Sequence, residues 1–193
     1  MLKLLLSFIL LTSSNSLEFS FEEDFEDNPY GLRYNPLRSL QGLENTLAYF
    51  GNEMTAFLTL ISQNTLVFGS SYINSIEKVK ACLLNMKEEA NVAVRTNNKL
   101  TTQEMWARLL SIFGQYDFKK NMKNVLGKAS GVRRRVQANV RITRQKEQIF
   151  EKISYLETGV RNLQEACELF DSDPDLKSNR AFKNLKQKIS KIK

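Results

Sequence analysis

Residues 35–62 read NPLRSLQGLENTLAYFGNEMTAFLTLIS. Asn35-Pro36 is a helix start, with Asn as N-cap and Pro in the first helical position, where its missing N–H costs nothing. From there apolar residues recur in alternating steps of three and four: Leu40, Leu43, Leu47, Phe50, Met54, Phe57 and Ile61. A period of about 3.5 residues marks an amphipathic helix with a coiled-coil-like seam. With the further amphipathic helices read downstream, the stretch points to an all-α fold.

The pattern continues downstream. Asn64 interrupts the stripe and Gly69-Ser70-Ser71 offers a break. A second series follows, Tyr72, Ile76, Val79, Leu83, Met86 and Ala90, displaced by one residue from the first. Either one helix runs from about 36 to 98 with a register shift, or two helices meet near Gly69. Thr101-Thr102-Gln103-Glu104 has the spacing of a capping box, opening a helix with Met105, Trp106, Leu109, Ile112, Phe113 and Tyr116 inward. It continues or restarts through Met122, Val125 and Leu126. Gly127 can end that helix and Ser130 can begin the next, whose stripe is Val132, Val136 and Val140. The stripe then changes face to Ile149, Ile153, Leu156, Val160, Leu163, Cys167 and Phe170. Asp173-Pro174-Asp175 caps a last helix that runs to the C-terminus. The expectation is an antiparallel bundle of four or five amphipathic helices, elongated if the coiled-coil period persists, in one domain from 36 to 193.

Upstream, residues 1–16 read as a secretory signal peptide. Lys3 gives the positive start, Leu4 to Leu11 the apolar run, and Ser14 and Ser16 the small-x-small cleavage pattern. The apolar run is far short of the ~20 residues that span a bilayer. Residues 17–35 form an acidic, flexible arm: 17–28 hold six acids and no base, with Phe19, Phe21 and Phe25 interleaved. The expected destination is extracellular. An oxidising compartment makes an intramolecular disulfide between Cys82 and Cys167 the favoured pairing, against a buried free thiol or an interchain bridge.

Composition excludes more chemistry than it suggests. The 193 residues contain no His, which removes the commonest general base, the commonest transition-metal ligand and every Ser-His or Cys-His nucleophile pair. Two cysteines alone cannot complete a structural zinc site. Asp171, Asp173 and Asp175 imitate the start of a calcium loop. Leu176 stands where the loop needs Gly, Phe182 where it needs Glu, and Pro174 disrupts the turn. Glycine-rich phosphate loops and nucleophile-elbow motifs are absent. The chain is expected to be no enzyme and to carry no cofactor and no metal.

Charge is the informative property. The net +7 hides a segregation. Residues 119–146 carry Lys119, Lys120, Lys123, Lys128, Arg133, Arg134, Arg135, Arg141, Arg144 and Lys146 and no acid. Residues 177–193 carry Lys177, Arg180, Lys183, Lys186, Lys188, Lys191 and Lys193, again with no acid. Without the signal peptide and the acids of 17–28, residues 29–193 carry +12. The last helix places Ala181, Phe182, Leu185, Ile189 and Ile192 on a narrow apolar arc and fills the rest with bases. That pattern suits an anionic membrane surface or the outer face of a bundle.

Clustered Arg suits bidentate capture of sulfate, phosphate or carboxylate. Candidate polyanion-binding residues are therefore Lys128, Arg133, Arg134, Arg135, Arg141, Arg144, Lys183, Lys186, Lys188, Lys191 and Lys193. The expected partner is a sulfated glycan or an anionic lipid surface. Nucleic acid ranks below these because 119–146 lack a stacking aromatic. The rival expectations are a four-helix-bundle signalling ligand for a protein receptor, and a membrane-active or lipid-carrying protein whose stripes open. The bland alternative is a solvated basic face paired with the acidic arm.

Overall fold

The computed structural model describes residues 36–139, Ile142 and residues 145–192. The expected signal peptide, the acidic arm and the candidate residues Arg141, Arg144 and Lys193 lie outside the described residues. The helices among them are α1 (Pro36–Ser62), α2 (Thr65–Phe68), α3 (Ser70–Thr96), α4 (Lys99–Gln115), α5 (Phe118–Gly127), α6 (Ala129–Ala138), α7 (Lys146–Glu168) and α8 (Arg180–Ser190). Among the described residues, eight helical segments stand where four or five helices were expected, because short backbone breaks cut the long ones.

Each break has a local cause. Gly69 takes a φ of 75°, a left-handed value that disfavours side chains, and a Cβ there would meet nothing within 4 Å. Backbone conformation, not space, requires glycine, and the first two long helices are separate. Asn97 (φ 44°) and Asp117 (φ 47°) end α3 and α4 in the same region of φ, which Asn and Asp tolerate better than other non-glycine residues. Two expected caps move. α4 starts at Lys99 rather than at the Thr101 capping box, because the Asn98 side chain accepts from the Leu100 N–H at 2.9 Å. α8 starts at Arg180, capped by Asn179 accepting from the Phe182 N–H at 3.0 Å. Asp173 instead closes a turn by accepting from the Asp175 N–H at 2.8 Å.

The stripes read from the sequence form one core. Every position of the Leu40-to-Ile61 series is buried, as are Tyr72 to Ala90 in α3 and Ile149 to Phe170 in and after α7. Each such side chain contributes about 1.5–3 kcal/mol relative to exposure. The contacts fix directions. Gly42 lies under Leu169 and Gly159 under Phe50, while Lys152 Nζ reaches Glu53 Oε2 at 2.5 Å. Asn64 Nδ2 donates to Gln145 Oε1 at 3.1 Å. Residue numbers rise on α1 as they fall on α7, so the two run antiparallel. Likewise α3 runs antiparallel to α4 and then α5, through Glu89–Arg108, Asn85–Tyr116 and Ser75–Asn124. α1 also packs along α3, and α8 packs on both α4 and α7.

At the α4–α8 contact, Trp106 is fully buried and meets Phe170 edge-on, with centroids 4.8 Å apart and planes at 83°. Phe182 packs on it as well at 4.8 Å, its ring 6.3 Å from that of Phe170. The indole N–H has no hydrogen-bond partner among the described residues.

The expected disulfide is not formed. Cys82 and Cys167 are both free and buried. Cys82 sits on α3 facing α4, its Sγ 3.7 Å from Met86 Sδ and 3.8 Å from the Ile112 carbonyl. Cys167 lies on α7 beside the charges of Lys186, Asp171 and Glu168. They fill different parts of the core as small hydrophobes. Burial pushes both thiols up to about 12, so both are neutral over the physiological range.

Candidate functional site: two basic windows and the groove between them

The bases of 119–146 are exposed for a simple packing reason. α5 turns Phe118, Met122 and Val125 into the core, and α6 turns in Val132 and Val136. The remaining arc of each short helix faces out, and it is where Lys120, Lys123, Lys128 and Arg133 to Arg135 fall. Two arginines of the triplet are braced. Arg133 Nη2 donates to Ser154 Oγ at 3.3 Å and Arg135 Nη1 donates to the Val67 carbonyl at 3.2 Å. These bonds fix the guanidinium groups without neutralising them. Arg134 is exposed between them.

On α8, Phe182, Leu185 and Ile189 are buried, leaving Lys183, Lys188 and Lys191 exposed and Lys186 half-buried. Lys186 pairs with Asp171. The other ion pairs among the described residues are Lys87–Glu88, Lys99–Asp175, Arg108 with Glu89 and Glu104, and Lys152–Glu53. Of the described bases in the two windows, therefore, Lys186 alone has a carboxylate partner among the described residues. Among the described residues, the carboxylates that are paired mostly neutralise bases elsewhere.

The two windows meet at a groove of about 420 Å³. Lys123, Leu126 and Gly127 line it from the end of α5. Glu157, Val160, Arg161 and Gln164 line it from α7, and Ile192 from the end of the chain's second window. Leu126, Val160 and Ile192 supply apolar wall; Lys123 and Arg161 are exposed bases, opposed by the single carboxylate of Glu157. Gln164 donates from Nε2 to the Ile189 carbonyl at 3.2 Å and so ties α7 to the end of α8. Arg161 escaped the sequence reading because it lies in α7, outside both windows. Its only signal was its place directly after Val160, at the edge of the apolar stripe.

Lys183 and Lys186 go elsewhere. With Lys177 they line a second groove of about 330 Å³, over Phe170, Leu176 and Phe182, that also contains Asp171 and Asp173. The opposed charges there make it a weaker anion site than the first. The three aspartates that imitate a calcium loop are engaged separately: Asp171 by Lys186, Asp175 by Lys99 Nζ at 2.7 Å, and Asp173 by the Asp175 N–H. Among the described residues no group of three or more acidic or cysteine side chains is placed to hold a metal ion, and no helix is long and apolar enough to cross a membrane.

Compared with known proteins, the chain matches no family model, no curated protein and no solved structure. Its chemistry must therefore be read from the surface itself. Unneutralised guanidinium and ammonium groups on rigid helices attract multivalent anions, with arginine adding bidentate hydrogen bonds.

Proposed function

We propose that this chain is a secreted, non-catalytic helical protein that acts by binding polyanionic surfaces, either sulfated glycan or anionic lipid. In this reading α7, α1, α3, the α4–α5 arm and α8 form one closed antiparallel bundle. It serves as a rigid frame that holds the basic helical faces of α5, α6 and α8 outward. The observation that carries the reading is the missing counter-charge: among the described residues, the bases of both acid-free windows have no carboxylate partner, Lys186 apart. A merely solubilising charge pattern would intersperse the two signs. The groove at Lys123 adds Arg161 of α7 to the first window's charge.

The test compares immobilised heparin, phosphatidylserine vesicles and a plain sulfonate exchanger. The protein is expected to leave heparin, or to dissociate from the vesicles, at higher salt than it leaves the exchanger. The triple variant Lys123→Gln/Arg134→Gln/Arg161→Gln is expected to lose that margin with an unchanged helical circular dichroism spectrum. Elution from all three at one salt concentration would reduce the surface to generic positive charge and overturn the reading.

A further inference from the structure

The chain between Glu53 and Glu77 carries no charge at all. It forms the end of α1, the short helix α2 and the start of α3, so it makes the corner where those two long helices turn back on each other. Phe68 is buried and Val67 half-buried, which pins the corner to the core. Leu66 between them and Thr65 is 98% exposed. Gly69, at φ 75°, reverses the chain directly afterwards, so Leu66 stands at the apex of a fixed turn.

An arginine-bearing helix adjoins this apex. α6 packs on α2, and the Arg135 guanidinium sits on the carbonyl of Val67, the residue after Leu66, at 3.2 Å. Arg133 and Arg134 precede it on the same helix, both exposed. The third element at the corner is the start of α7, where Gln145 bonds to Gln63 and Asn64. Glu147 is the first acid there; none occurs between Asp117 and Glu147. A lone exposed leucine is unremarkable on a soluble protein. One rigidly presented at an uncharged apex, with arginine bound beside it, has the chemistry of an interfacial anchor.

We propose that this corner docks on anionic bilayers, Leu66 entering the boundary between headgroups and acyl chains while Arg134 and Arg135 meet lipid phosphates. The proposal rests on the polyanion reading above and narrows its partner to lipid, because a sulfated glycan offers no apolar phase to a leucine. One side chain is a weak anchor, so binding requires charge and leucine together.

The experiment uses the full chain with phosphatidylcholine vesicles, with and without phosphatidylserine. A Leu66→Cys variant is labelled with an environment-sensitive fluorophore; Cys82 and Cys167 are buried and neutral and stay unlabelled in the folded protein. The control label goes on Leu100→Cys. That residue is also exposed, but it lies beyond the far end of α3, about 40 Å away at 1.5 Å per residue.

The label at 66 is expected to shift to the blue on phosphatidylserine vesicles only, and the label at 100 to stay in water. Leu66→Ser is expected to weaken vesicle binding roughly tenfold or more, the effect of losing one buried leucine, while heparin elution is unchanged. Vesicle binding that survives Leu66→Ser, or a label at 66 that stays in water, would overturn the proposal. Heparin retention with no vesicle binding would also overturn it and leave the polyanion reading standing. Absence of both would remove both.

Discussion

Replacing Gly159 by alanine tests the packing of α1 on α7 directly. A Cβ built at 159 falls 2.5 Å from both Cδ2 and Cε2 of Phe50 and 2.9 Å from its Cγ. Ordinary contact begins near 3.4 Å, so the ring or the helix must retreat by about 1 Å. Phe50 is 1% exposed and sits in the middle of the core stripe, so its ring has nowhere to go. Overpacking of this kind costs about 1–3 kcal/mol. Alanine returns about 1 kcal/mol through its better helix propensity. The net expectation is a loss of about 0–2 kcal/mol, or a Tm lower by up to about 8 °C for a domain of this size.

Two controls make the argument quantitative. A Cβ at Gly131 meets nothing within 4 Å, so Gly131→Ala should gain about 0.5–1 kcal/mol from propensity alone. At Gly51 the clash is 2.9 Å with Leu84 Cδ2, the far end of a half-buried side chain that can turn away, so Gly51→Ala should be near neutral. Urea unfolding followed by circular dichroism, with a common m-value, reads all three. The reasoning is refuted if Gly159→Ala proves as stabilising as Gly131→Ala.

Asn98→Ala should destabilise by about 1 kcal/mol through loss of the bond from the Leu100 N–H, whereas Thr101→Ala should stay within about 0.5 kcal/mol; the same unfolding assay separates them. With both thiols free and buried, the native protein should not react with a thiol-specific chromogenic reagent and should react at both cysteines once unfolded in denaturant. Reduced and unreduced samples should co-migrate. The thiols also make stability fall in alkali: the unfolded groups ionise near pH 9 while the folded ones stay protonated until about 12. Stability from this source is complete below pH 8.5. Above pH 9 each thiol removes about 1.4 kcal/mol per pH unit, a slope that Cys82→Ala and Cys167→Ala should each reduce.

What the sequence made legible was what periodicity encodes. The seam from Leu40 to Ile61 and the stripe from Ile149 to Phe170 lie in the core at every position because a 3.5-residue repeat leaves a helix one face to bury. Gly69 was legible as a break because glycine is the residue that tolerates its φ. The breaks at Asn97 and Asp117 were not, since Asn and Asp permit a left-handed φ without demanding it. Thr101 to Glu104 matched a capping box, but Asn98 is a better N-cap and stands three residues earlier, so the helix had already begun. Asp173 spends its carboxylate on a turn, which leaves the last helix to Asn179. The cysteines were misread because spacing along the chain carries no distance between helices. The basic windows were plain in the sequence. The groove that sets Lys123 beside Arg161 and Ile192 was not, since it depends on α5 and the chain after α8 flanking α7.

The central claim is that unneutralised helical charge binds polyanions, and the salt dependence of the affinity tests it most directly. The measurement is the affinity of the full chain for a heparin oligosaccharide or for phosphatidylserine vesicles across a series of salt concentrations. Binding through several bases releases several counterions, so log K should fall linearly and steeply with log salt. The slope should shrink in the Lys123→Gln/Arg134→Gln/Arg161→Gln variant. An affinity that stays flat as salt rises, or a slope the variant leaves untouched, would contradict the account.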